Sequence, residues 1–241
     1  MATTIEDIKY DEMISSMCDE VIMREAAKAQ CIYIFVEGES EEAVLHILLE
    51  ECGLDLNKHG IVIANYNGIG NLKSSIRLLR KTLSHDRPII VTYDDDLAGK
   101  REVRDAGDEL ITYFKIPQAP VVRFSDGSEG GSLEEAFSPD VFIDSSFESD
   151  MVFNGDPRMK SDFSSAFDAS KPWFSQLARF VESRGGRAAS INKIKLCENM
   201  AQLCDPIPDT FKKLAALALS LRERYPVKSP NDVDLSFLKN H

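Results

Sequence analysis

Two stretches decide the fold, CIYIFVEGES at 31–40 and PIIVTYDDDLAGK at 88–100. Each opens on a short run of aliphatic, β-branched and aromatic residues, the composition of a strand buried on both faces. Each then ends in carboxylates: Glu37 directly after the first run, and Asp94, Asp95 and Asp96 after the second. Ile61–Ala64 supplies another apolar strand. It leads into the turn-rich segment Asn65-Tyr66-Asn67-Gly68-Ile69-Gly70-Asn71. Between the strands, Glu41–Cys52 repeats Ala43, Val44, Ile47 and Leu48 at helical spacing, with Ser40 placed to cap it. Leu72–Leu83 does the same with Ile76, Leu79 and Leu83. A charged helix is expected from the aspartate run to about Tyr113, then a strand at Val121–Phe124. Strands alternating with helices predict an α/β domain with a mainly parallel sheet.

Outward from this core the composition changes. Residues 5–30 predict an acidic amphipathic helix with Ile5, Ile8, Met13, Val21 and Ile22 toward the core. Residues 126–170 carry eleven acids against Arg158 and Lys160, whereas 171–228 carry eleven basic residues against five acids and look mostly helical. The tail 229–241 is polar, and there is no internal repeat. The organisation expected is an N-terminal helix (1–30), a core (31–137), a helical basic extension (138–228) and a tail (229–241). Over 241 residues, 28 Lys+Arg and 40 Asp+Glu give a net charge of −12, which argues against a nucleic-acid partner. The uneven distribution means that the net charge no longer excludes such a partner. Part of the acidity suits a cation site, and a basic half is available for phosphates. No apolar run approaches the ~18 to 20 residues of a membrane span, and the acidic first thirty residues do not have the form of a signal peptide. Five scattered cysteines without a C-x-x-C pair fit small hydrophobes in a reducing, cytoplasmic setting.

The strand-end carboxylates carry the chemistry. In an extended backbone Asp94 and Asp96 share one side and Asp95 the other. Glu37, from a neighbouring strand, would complete a three-carboxylate cluster. Such a cluster is self-repelling and calls for a hard divalent cation such as Mg²⁺ or Mn²⁺. The competing reading is that these acids cap helices or form a solvated turn. His46, His59 and His85 are isolated, and Trp173 reads as a core anchor rather than a stacking platform.

V-E-G at 36–38 with Glu41, followed by Y-D-D-D-L-A-G at 93–99, resembles the Toprim domain. Bacterial primases, topoisomerases and nucleases of the overcoming-lysogenization-defect (OLD) type share that domain. The start and the glycine loop at 67–70 are closer to the OLD branch. The resemblance implies a Rossmann-like α/β Toprim fold flanked by helices, with a C-terminal helical region. It makes Glu37 the motif glutamate and Asp94 and Asp96 the D-x-D pair. Gly131-Ser132-Leu133-Glu134-Glu135 is similar to that branch's further acidic motif. This places Glu134, with Glu41, at a second metal, although Glu41 is equally a first-turn residue favoured by the helix dipole.

The implied lysine is Lys195, with Lys193 as the competing assignment. Gly68, Gly70, Lys100 and Lys193 are the implied substrate contacts; a plain tight turn is the other reading of the glycines. The implied activity is two-metal Mg²⁺ or Mn²⁺ hydrolysis of DNA or RNA phosphodiesters. The sequence contains no ATPase, primase or topoisomerase region. The expectation is therefore a nuclease working with a separately encoded ATPase, in a setting such as phage defence, possible as a homo-oligomer and without a membrane partner. The alternative is a non-catalytic Toprim-fold regulatory or scaffold subunit of such an ATPase.

Overall fold

In the computed structural model, residues 5–103 and 109–229 are described. The chain runs α1 (Ile5–Ala29), β1 (Ile32–Val36), α2 (Glu39–Glu51), α3 (Leu56–His59) and β2 (Ile61–Asn65). It continues through α4 (Leu72–Arg77), which widens into a π-type turn at Leu78–Thr82, to β3 (Ile89–Asp94), α5 (Leu97–Val103) and β4 (Ile111–Ile116). A two-stranded antiparallel hairpin, β5 (Val122–Arg123) and β6 (Glu129–Gly130), follows. The remainder is helical: α6 (Pro139–Ser146), α7 (Pro157–Ala166), α8 (Trp173–Ser183), α9 (Lys193–Leu203) and α10 (Asp209–Arg224).

The main sheet is parallel, in the order β2-β1-β3-β4. The alternation of side chains along β1 divides its two faces. Ile32, Ile34 and Val36 enter the larger core with α2 and the C-terminal helices, while Phe35 joins Tyr66, Leu72, Leu79, Ile89 and Val91 beneath α4. Because β1 sits between β2 and β3, the chain leaves it toward one edge and returns on its other side. The crevice at the carboxyl end of such a reversal is where open α/β sheets bind ligands.

Two expectations are corrected here. The fourth strand of the sheet is Ile111–Ile116, not Val121–Phe124. ITYFKI is rich in the β-branched and aromatic residues that strands favour, and the run of charge before it hid that composition. Among the described strands, Val122–Arg123 pairs with Glu129–Gly130 rather than with the main sheet, across a tight Asp126–Ser128 turn.

The second correction concerns α1. Met13, Val21 and Ile22 do not face the core but are exposed, by 50%, 61% and 39%. The helix meets the rest of the chain through Ala26 and Ala27. Ile5 and Ile8 lie outside the residues whose side chains are described, and 230–241 outside the described chain.

The helical extension shares one continuous core with the sheet. Leu196 and Met200 of α9 pack with Val44 and Leu48 of α2, and Phe142, Phe163 and Trp173 join them. Trp173 is a core anchor, wedged between Phe142 and Phe167 with its indole N–H on the Ala169 carbonyl. At the opposite end of the sheet the buried Arg222 guanidinium donates to the carbonyls of Gln30 (3.1 Å), Gly60 (2.9 Å) and Tyr225 (3.0 Å). A cation that satisfies three carbonyls ties the last helix to the start of β1. The five cysteines are free; Cys31 and Cys197 are buried and Cys18 is exposed. No described helix is long and apolar enough to cross a membrane.

Candidate metal centre

Neighbouring strands β1 and β3 bring Glu37 and the aspartate run together across fifty residues of sequence. β3 directs Asp94 to the same face as Val36 and α2, where it is half-buried, within electrostatic reach of Glu41, Glu134 and Glu37. Asp95 turns to the other side. Wholly buried, it is held by Lys100 (2.9 Å) and Lys115 (3.1 Å). Asp96 caps α5, its Oδ1 accepting from the Gly99 N–H at 2.7 Å, and it lies within electrostatic reach of Glu37. Asp96 thus meets both readings of the aspartate run, helix cap and cluster member.

The glycine loop closes over Glu37. Gly68 adopts φ +93°, which a side chain would resist, and its N–H donates to the Glu37 carbonyl at 2.8 Å. The Ile69 N–H reaches the Glu37 carboxylate. A Cβ on Gly70 would meet only open space, so that position is not sterically constrained. Gly99 is constrained, because its Cβ would fall 2.4 Å from the Asp94 carbonyl oxygen. Gly99→Ala is therefore expected to cost about 2 kcal/mol through overpacking, measured as a lower urea midpoint. An unchanged midpoint would contradict the contact.

On the far side of the cluster, the short helical turn at Glu134–Ala136 buries two acids that share the Ser132 hydroxyl, 2.7 Å from Glu134 and 2.6 Å from Glu135, and otherwise have different partners. Glu135 is structural: it accepts from the N–H groups of Ser132 and Trp173, both at 2.8 Å, and so caps α8. Glu134, wholly buried, accepts from the Ser132 hydroxyl at 2.7 Å and pairs with Lys193 at 3.0 Å.

The two candidate lysines are placed differently. Asn192 caps α9 through the Lys195 N–H, making Lys193 the first residue of the helix and Lys195 the third, about 200° further round. Lys193 faces the acids. Lys195 faces away and pairs with Asp150 at 3.2 Å and Glu198 at 3.5 Å. Lys100 is committed to Asp95 and to the Glu129 carbonyl rather than to the cleft. Nor does the basic extension form a bare cationic arm. Lys171, Arg184 and Lys212 each pair locally, with Asp168, Asp162 and Asp209.

The electrostatics of the cluster are those of too many negative charges. Burial, then Glu41 and Asp96, push the Glu37 carboxyl above its usual range. Burial likewise raises Glu41 and, together with Glu41, Glu134 and Glu37, holds Asp94 well above the ordinary aspartate value. Burial opposes the charge on Lys193, but Glu134 and Glu41 outweigh it and keep the ammonium protonated. Tyr66 belongs to no motif in the sequence. Its buried hydroxyl donates to the Thr92 carbonyl at 3.0 Å, and burial, Glu37 and Asp94 all raise its pKa, so it is a neutral donor beneath the cluster. Its signal was an aromatic residue placed directly after β2, at the mouth of the glycine loop. Ser132, two residues before Glu134, was also legible only in retrospect.

The donor set suits a hard divalent cation in kind, since it is all carboxylate oxygen and under-neutralised. In spacing it is not gathered: among the described residues no three His, Cys, Asp or Glu side chains stand close enough to hold one ion. The cleft lined by Glu37, Glu41, Thr92 and Asp94 has no water-sized space.

Residues 32–96 match the family described as "Overcoming lysogenization defect protein-like, TOPRIM domain". Among solved structures, the C-terminal region of the Burkholderia pseudomallei OLD protein is similar at 19% identity and a TM-score of 0.47, covering 78% of this chain and 98% of that one. The corresponding region of the Xanthomonas campestris pv. campestris OLD protein is similar at 15% identity and a TM-score of 0.49, covering 80% and 97%. No curated protein matches the chain.

Proposed function

We infer that this chain, which carries an OLD-like Toprim domain, is a divalent-metal-dependent nuclease hydrolysing phosphodiester bonds of DNA or RNA. The observation that carries the reading is that Glu37, Glu41, Asp94, Asp96 and Glu134 lie within electrostatic reach of one another at the β1/β3 crevice, though not drawn in to ligand distance, with Lys193 the cation acting on the group. Glu37, Asp94 and Asp96 would hold one Mg²⁺ or Mn²⁺, and Glu134 with Glu41 a second. Bound there, such ions would supply a nucleophile at neutral pH and would neutralise charge on the phosphoryl oxygens.

The protein's own residues do the rest. The Gly68–Ile69 backbone orients Glu37, the α5 cap fixes one oxygen of Asp96, and Lys193 pairs with Glu134. Lys193 neutralises negative charge gathering at the reacting phosphate. A separately encoded ATPase partner, and a setting such as phage defence, belong to this proposal by family analogy.

The test is cleavage by the purified chain of plasmid, single-stranded DNA and transfer RNA across Mg²⁺, Mn²⁺ and Ca²⁺, with EDTA as control. Cleavage that depends on Mg²⁺ or Mn²⁺ supports the nuclease. Its absence on every substrate supports a second reading, a Toprim-fold scaffold or regulatory subunit of a partner ATPase. The closed cleft and the Lys193–Glu134 ion pair favour that second reading.

A further inference from the structure

Beside the cluster, on the other side of the first turn of α8, lies an open groove in two adjoining lobes of about 410 and 530 Å³. Arg123 and Ser170 line both lobes, and Lys171, Arg179 and Phe124 complete the second. The walls are built rather than incidental. The Arg123 N–H donates to the Ser170 carbonyl at 2.8 Å, joining the β5–β6 hairpin to the loop before α8. Gln176 secures that loop, accepting from the Asp168 N–H and donating to the carbonyls of Asp168 and Lys171, each at 2.9 Å. The hairpin is anchored in turn to the aspartate run. Gly131 bridges the Asp95 backbone, and Lys100 joins the Asp95 carboxylate to the Glu129 carbonyl.

Its charge is cationic and available. Arg179 is exposed and has no ion-pair partner among the described residues. Arg123 pairs with Glu129, and Lys171 with Asp168, as surface pairs with exposed members. Surface pairs of this kind are worth little and yield readily to a competing anion. The groove also lies close to the chemistry. The Trp173 N–H at the start of α8 is bound by Glu135, the neighbour of Glu134, and Lys193 lies 5.5 Å over the ring of Phe174. One helical turn therefore separates a cationic groove from the carboxylate cluster.

We propose that this groove holds the sugar–phosphate backbone of the nucleic-acid strand beside the bond being cut, with Arg123, Lys171 and Arg179 as phosphate contacts. The inference rests on the nuclease reading and deepens it, supplying the binding surface that the acidic cluster lacks. Phosphate contacts of this type position a strand without reading its sequence, so binding is insensitive to base order and steeply salt-dependent.

The experiment measures binding of labelled single-stranded DNA, duplex DNA and RNA of equal length to the full chain by fluorescence anisotropy. It uses an Asp94→Asn background with Mg²⁺ to prevent cleavage, and several salt concentrations. Arg179→Glu is expected to weaken binding about 10-fold. The triple Arg123→Glu, Lys171→Glu, Arg179→Glu variant should weaken it by more than 100-fold, and the salt slope should fall by about one for each cation removed. Midpoints of thermal unfolding serve to separate these effects from misfolding. Reversals to Lys at the same positions should restore both affinity and slope.

Unchanged affinity and slope in the triple variant would overturn the groove while leaving the nuclease reading intact, provided the parent chain still cleaves. A parent chain that neither binds nor cuts any of the polymers would overturn both.

Discussion

Asp94→Asn is expected to abolish divalent-metal-dependent cleavage, by about 10³-fold or more, while making the metal-free protein more stable. The loss follows from removing a ligand that contributes several kcal/mol to the transition state. The gain follows from the cluster itself. Asp94 is raised by burial and by Glu41, Glu134 and Glu37, so its ionised form is a cost to the fold that a neutral amide of the same shape does not carry.

The pH dependence has a definite sign. A carboxyl whose folded pKa lies above its unfolded value favours folding only while protonated. That contribution is complete below about pH 4 and is lost as the pH rises through the folded value. Glu37, Glu41 and Asp94 are all raised, so the cluster's contribution in the metal-free protein declines from about pH 4 toward neutrality. The melting difference between Asp94→Asn and the parent should therefore widen over that range. Saturating Mn²⁺ should reverse it, since a cation at about 100 times its Kd stabilises the native state by about 2.7 kcal/mol. A variant that melts below the parent in EDTA at pH 7, or that is stabilised equally by Mn²⁺, would dismiss this account.

Lys193→Ala and Lys195→Ala should behave as opposites although only one residue lies between them. Lys193 is paired with a carboxylate that has no exposure, so its removal leaves Glu134 buried and uncompensated. Breaking a fully buried pair costs about 3–5 kcal/mol. Because the lysine is itself 42% exposed, screening reduces the expectation to about 2 kcal/mol. Cleavage should fall about 10²- to 10³-fold, the cost of removing one preorganised group that stabilises developing charge.

Lys195→Ala breaks surface pairs to Asp150 and Glu198, and should change stability by less than about 0.5 kcal/mol and leave activity within about two-fold. Adding Glu134→Gln to Lys193→Ala tests the mechanism further. Stability should return, because the stranded charge is gone, but activity should not. Equal effects of the two alanine variants on cleavage would remove Lys193 from the site.

Much of this was legible in the chain. Apolar runs ending in acids locate β1 and β3 because a strand buried on both faces must be continuously apolar, and its polar residues can begin only at the sheet's edge. The period of two separates Asp94 and Asp96 from Asp95, and the structure shows the consequence in Asp95 alone lying on Lys100 and Lys115. Other features were not readable locally. Exposure of Met13, Val21 and Ile22 depends on what lies opposite α1, and a hydrophobic stripe has the same pattern whether or not anything covers it. β4 was obscured because the charge before it continues a helical pattern, whereas its pairing with β3 is a long-range fact.

By itself, then, the sequence determined the alternation of strands and helices and the carboxylates at the ends of β1 and β3. These follow from periodicity and burial, which are properties of neighbours along the chain. The tertiary structure alone decided that Glu135, buried like Glu134, caps α8. It also decided that Lys193 rather than Lys195 answers the cluster's charge, and that a cationic groove lies one helical turn away. Each of these depends on which face of one helix meets another, and packing across the core, not spacing along the chain, sets that rotation.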